Sequence, residues 1–161
     1  KGAKTMNMLK AMVLGFIAGL IAYVTFHEIV NAFFNNTAYW TGWERPSWDM
    51  SPNAHGVPFL ASGALVGGAW GALFPLLFGT MPKGSLTFKG LFYGLIGPAL
   101  IGAMIIYPLT MQYSAQYESL PQGLFLDGQA AAIIPTLAKY GAFGALLGWL
   151  YGLFAYKRLP C

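Results

Sequence analysis

LKAMVLGFIAGLIAYVTFHEIVNAFF, residues 9–34, is apolar at almost every position. Wound as an α-helix at 1.5 Å per residue it extends about 39 Å, more than the ~30 Å of hydrocarbon in a bilayer. Three further stretches of the same character follow at 58–79, 90–111 and 129–156, and nearly all the charge lies between them. Apolar residues make up 57% of the chain and charged residues 9%, more oil than a water-soluble domain of 161 residues can hide. The expected fold is a single all-α transmembrane domain over 1–161, a four-helix bundle with short loops and no soluble catalytic module.

The net charge of +4 is a topology signal rather than a nucleic-acid footprint, because of where the charges sit. Lys1, Lys4 and Lys10 precede the first span, Lys83 and Lys89 lie between spans two and three, and Lys157 and Arg158 follow span four. The other two connections hold Glu44, Arg45, Asp49, Glu118 and Asp127. By the positive-inside rule both termini and the 80–89 connection face the cytoplasm, and the 35–57 and 112–128 loops face outward. The first apolar run is about twice the length of a signal-peptide core, so it reads as a retained helix. The lone Cys161 cannot form an internal disulfide and reads as inert.

Small residues recur every fourth position. Gly15 and Gly19 mark span one, Gly63, Gly67 and Gly71 span two, and Gly144, Gly148 and Gly152 span four. Ala64, Gly68 and Ala72 form a second stripe beside the first on span two. Such faces let membrane helices approach closely and pack without a hydrophobic driving force. Pro75 is expected to kink span two, Pro98 to free a carbonyl in span three, Pro108 to loosen its outer end, and Pro135 lies in the first turns of span four. The halves echo one another. Lys10, Gly15 and Ile17 recur as Lys89, Gly94 and Ile96 at an offset of about 79, and the glycine triplets align better at about 81. Two tandem helical hairpins in parallel repeat are one explanation; shared composition is the other.

The residues that could carry chemistry are few. His27, Glu28, Asn31 and Lys139 are polar within spans, where a charge costs ~2.5–3.5 kcal/mol. Counted from the outer ends, Glu28 and Lys139 reach similar depths, so an ion pair or a shared water between them is expected. That pair would clamp helix four to helix one; its functional counterpart is a proton relay or ion site, although the inner halves of the spans offer no titratable continuation. His27 and His55 on one predicted side could ligate a b-type haem, His27 alone a chlorophyll or bacteriochlorophyll, and His27, Glu28 and His55 together a metal through N,N,O donors. No dedicated metal motif is present, and Asn-Ala-His-Gly around His55 is ordinary turn chemistry. Phosphate loops, G-x-S-x-G, H-E-x-x-H and C-x-x-C are missing from the sequence, and Ser62 and Ser114 have no base beside them. Glu44 and Asp49 read as loop solvation. Tyr39, Trp40, Trp43 and Trp48 suit the headgroup layer. Asn35-Asn36-Thr37 matches a glycosylation pattern, which is discounted on the expectation of a bacterial source.

Thr25-Phe26-His27-Glu28, then His55-Gly56-Val57-Pro58 and Gly67-Gly68-Ala69-Trp70-Gly71-Ala72-Leu73-Phe74, resembles a group of small four-span proteobacterial membrane proteins with a T-F-H segment in span one and G-V-P…W-G opening span two. The resemblance covers about the first half of the chain. It implies a four-span fold in a bacterial inner membrane and adds no reaction. Gln is common in that group where this chain has Glu28, which implies that a charged role need not carry over.

Three functions remain open. The first is a non-catalytic accessory subunit of a larger energy-converting membrane complex, respiratory or photosynthetic, docking on other integral-membrane subunits and lipids through its Gly/Ala faces. The second is a small transporter or channel with a Glu28/Lys139 site. The third is a haem- or pigment-binding subunit through His27.

Overall fold

A computed structural model describes residues 7–36, 46–53, 55–78, 84–111 and 123–156. These form four helices: α1, Met8–Asn35; α2, Phe59–Phe78; α3, Leu86–Thr110; and α4, Ala130–Tyr156. Each is long and apolar enough to cross a membrane, so the chain is an all-α, multi-pass four-helix bundle. Lys1, Lys4, Lys83, Lys157 and Arg158 lie outside the described residues, as do Thr37, Tyr39, Trp40, Trp43, Glu44, Arg45, Ser114, Glu118 and Cys161.

The helix ends follow the expected spans closely except at α3. There Ser85 Oγ accepts from Phe88 N at 3.5 Å and starts the helix at Leu86 instead of 90. Lys89, expected in the connection, therefore sits within the first turns of α3. Asn7 caps α1 in the same way, accepting from Leu9 N at 3.0 Å.

Neighbouring helices are antiparallel, and the closest approaches are backbone on backbone. A Cβ added to Gly15 would strike the Gly71 carbonyl oxygen, and one on Gly19 the Gly67 carbonyl oxygen. On the other pair, Gly90 meets the Gly144 carbonyl, Gly94 the Tyr140 carbonyl and Gly148 the Leu86 carbonyl. Only glycine permits this distance, which maximises dispersion contact where lipid supplies no hydrophobic drive. The two hairpins thus use one packing device. Its register differs from the one expected. Gly71 rests on Gly15 and Gly19 as Gly144 rests on Gly90 and Gly94, which equates 15 with 90, 19 with 94 and 71 with 144. The offsets are then 75 and 73 (90 less 15, 144 less 71), not about 79 and 81.

The expectation of spare small-residue faces also needs correction. Gly63 lies under the Tyr23 ring and Gly68 under the Phe16 ring, so both stripes of α2 face α1. Ala64, Gly67 and Gly71 are buried on α2, and Gly144, Gly148 and Gly152 on α4. Among the described residues these glycines pack inside the bundle.

We call the end where α1 starts and α4 finishes the terminal end, and the opposite one the loop end. Toward the terminal end the core is Phe74, Phe143, Leu147 and Tyr151, all buried. The α2–α3 seam is looser and is held by Tyr93, whose hydroxyl donates to Trp70 O at 2.6 Å while its ring meets Trp70, Phe74 and Phe78 edge-on. Tyr93→Phe keeps the ring and loses the bond. It should lower stability by about 1 kcal/mol, read as helix loss during titration with a denaturing detergent.

Two stretches are wound as wider π-helix, Tyr23–His27 in α1 and Leu95–Ile106 in α3. The second contains Pro98, which has no N–H to give, so the i→i−4 ladder cannot run through it unbroken. Pro75 and Pro135, by contrast, lie inside continuous α-helix. At the loop end a short 3₁₀ turn, Leu124–Gly128, leads into α4 and carries Phe125, Leu126 and Asp127 at positive φ (54°, 56° and 54°). Each costs about 1–2 kcal/mol in that region, offset in part by burial of Leu126 against Met104 and Ala132.

A buried polar cluster at the loop end

Residues 46–53 and 55–58 form a cap over α1 and α2. Asp49 O accepts from Leu60 N at 2.9 Å and Ser51 O from Phe59 N at 3.1 Å, satisfying first-turn donors of α2 with loop carbonyls. Asn53 Oδ1 accepts from His55 N at 2.9 Å and Val57 N at 3.1 Å, closing an Asx turn. His55 itself is exposed in that turn.

The cap is fastened to α1 by the polar residues that the sequence singled out. Glu28 Oε2 accepts from Trp48 N at 2.8 Å, and Oε1 lies 3.0 Å from His27 Nδ1. Asn31 Nδ2 donates to Ser47 Oγ at 3.0 Å. The Trp48 indole donates to Val24 O at 2.8 Å, a carbonyl within the π-wound stretch. These bonds hold Trp48 at φ 55°, a left-handed backbone that few non-glycine residues adopt. The wide turn brings His27 and Glu28, adjacent in sequence, into the interior together: His27 is 5% exposed, Glu28 6% and Asn31 7%.

α4 joins through Lys139, whose Nζ donates to Asn31 Oδ1 at 3.3 Å. The equal depths expected for α1 and α4 are found, and Lys139 lies within electrostatic reach of Glu28 and His27. The contact described for its ammonium runs to the amide of Asn31, while the Glu28 carboxylate is engaged by His27 and the Trp48 backbone. Sequence depth could not choose between Glu28 and Asn31, because the two share a helix face one turn apart.

His27 is packed between two rings. Tyr23 stacks on it at 4.3 Å and 17°, and Tyr140 lies at 5.1 Å and 53°. With Nδ1 facing a carboxylate, Nδ1 carries the hydrogen and Nε2 the lone pair. Nε2 is buried without a hydrogen-bond partner. His27 is buried and His55 exposed, and no group of three or more His, Cys, Asp or Glu suited to a metal occurs among the described residues. Sequence reading missed Ser47, Tyr23 and Tyr140 as members of the cluster, and it assigned Trp48 to the headgroup layer. Only the aromatic at i−4 from His27 was a usable signal. No protein-family model, curated protein or solved structure matches the chain.

Proposed function

We propose that the chain is a non-catalytic accessory subunit of a larger membrane complex, with an energy-converting complex as its setting. The observation that supports this is the engagement of Glu28: both carboxylate oxygens hold structure, one on Trp48 N and one on His27. The side chains that could have carried chemistry fasten the cap and α4 to α1. Beyond them toward the terminal end the core is Phe74, Phe143, Leu147 and Tyr151, whose one hydroxyl is no continuous chain of titratable groups for a proton or ion. Since the glycines are spent inside the bundle, docking passes to outward aliphatic faces such as Leu9, Val13 and Ile17 on α1. We place the terminal end in the cytoplasm of a bacterial cell and the bundle in its inner membrane, on the basic residues flanking that end and the resemblance to the four-span proteobacterial group.

Extraction of the native complex in mild detergent tests this. The chain is expected to travel with other integral-membrane subunits at fixed stoichiometry. A monodisperse lone monomer that carries flux in liposomes, with the flux abolished in Glu28→Gln and Lys139→Met, would replace it with the transporter reading.

A further inference from the structure

The turn that feeds α4 lies beside the bundle and not on top of it. Leu126 is buried against Met104 of α3 and Ala132 of α4. The turn as a whole, Leu124–Gly128, packs along Leu95–Ile106 and along Tyr107–Met111. Met104 is not at the end of α3: six residues, 105–110, run on past it toward the loop end, about 8 Å of helix. Among them Ile106 and Leu109 are exposed apolar side chains of a span. Leu126 is therefore seated at a depth where α3 still meets lipid.

The backbone is strained to reach that position. Phe125, Leu126 and Asp127 stand consecutively at φ 54°, 56° and 54°, and Gly128 follows at 69°. Left-handed backbone at three successive non-glycine residues persists only where the surroundings hold it. Burial of Leu126 supplies part of the hold. The other two apolar side chains of the turn find little cover in the bundle, since Leu124 and Phe125 are each 48% exposed. Polar groups fix how deep they can go. Asp127 is exposed, and its Oδ2 accepts from Gly123 N at 3.3 Å. Leu126 N donates to Gly123 O at 3.2 Å and Gln129 N to Leu126 O at 3.1 Å. Lipid-facing hydrocarbon excludes irregular backbone and penalises an ionisable group. The headgroup layer accepts both, and amphipathic segments there bury their apolar side chains about 5–10 Å into the acyl boundary.

We propose that Leu124–Gly128 is an interfacial anchor: Leu124 and Phe125 dip into the acyl boundary of the leaflet at the loop end, with Asp127 in its headgroup layer. The bilayer is the partner because the contact with Met104 places the turn at the level of a span. The anchor rests on the four spans and stands independently of the accessory-subunit reading.

The test uses the full chain in phosphatidylcholine liposomes, carrying Cys161→Ser and a nitroxide label on a single new cysteine, Leu124→Cys or Phe125→Cys. Collision of the label with oxygen, which concentrates in lipid, and with a water-soluble nickel chelate gives its depth. Both positions are exposed, so helix content should match wild type. Ile134→Cys, exposed one turn into α4, and His55→Cys, exposed in the cap, bracket the scale. Labels at 124 and 125 should favour oxygen and lie no more than about 10 Å below the phosphates, shallower than the label at 134. The label at 55 should favour nickel. If 124 and 125 meet nickel as freely as 55 does, the turn stands in water and the proposal fails. It fails equally if both reagents are shut out, which would put protein over the turn, a second copy of this chain included.

Discussion

Valine at position 71 is expected to destabilise the bundle by about 3 kcal/mol, the upper part of the range for overpacking. The obstacle is backbone. A Cβ there strikes the Gly15 carbonyl oxygen and lies 2.8 Å from Gly19 Cα, so α1 must move bodily rather than a side chain rotate. Gly144→Val should cost about the same, because its Cβ strikes the Gly90 carbonyl oxygen and lies 2.7 Å from Gly94 Cα. Ala69→Val, on the exposed face of α2, is the control and should change stability by less than about 0.5 kcal/mol. Unfolding in a denaturing detergent, followed by helix content, measures all three. Since the two contacts belong to separate hairpins, the double variant should lose the sum of the single losses. If Gly71→Val behaves like Ala69→Val, the helices do not meet backbone to backbone.

That pair of glycines also shows how far sequence reaches here. A run of apolar residues longer than the bilayer is thick declares a span whatever surrounds it, so all four helices were legible to within a few residues. The start of α3 was lost because Ser85 caps it before the apolar run begins. Glycines at intervals of four declared close packing. They could not say which carbonyl each would meet, because a face of small residues fits many registers nearly equally well. Similarity of sequence favoured offsets of about 79 and 81; the packed surfaces obey 75 and 73. The same ambiguity made two stripes on α2 look like one too many. Bulk resolves it: the rings of Tyr23 and Phe16 need glycine beneath them, at Gly63 and Gly68.

The four polar residues within the spans, and their depth, were legible, since such residues in apolar spans have to find one another, while Ser47, Tyr23 and Tyr140 were not. Its wiring was not. The π-wound turn at Tyr23–His27 rotates His27 and Glu28 inward together, and nothing in ordinary helical periodicity foretells a shift of that kind. Nor does composition foretell that the loop's backbone, at Trp48, takes one carboxylate oxygen before Lys139 can.

Glu28→Ala should therefore loosen the cap more than it loosens the bundle. The substitution leaves the Trp48 N–H and the His27 Nδ1–H without their acceptor, at a cost of about 3 kcal/mol for the pair. It also removes the bond that helps hold Trp48 at positive φ. Hydrogen exchange should rise through 46–53, and then at Phe59 and Leu60, whose amides depend on the carbonyls of Ser51 and Asp49. The glycine-packed stretches of α1 and α2 should exchange as before. Glu28→Gln keeps a carbonyl oxygen for Trp48 N, so it should cost only about 1 kcal/mol and leave exchange in the cap close to wild type. The contrast separates the two meanings of this carboxyl group. If the Ala variant opens the cap and the Gln variant does not, hydrogen bonding is the role of Glu28 and its charge is incidental. If both variants keep the cap closed while cells carrying either lose the function that the wild type supports, the charge serves that function and the clamp is wrong.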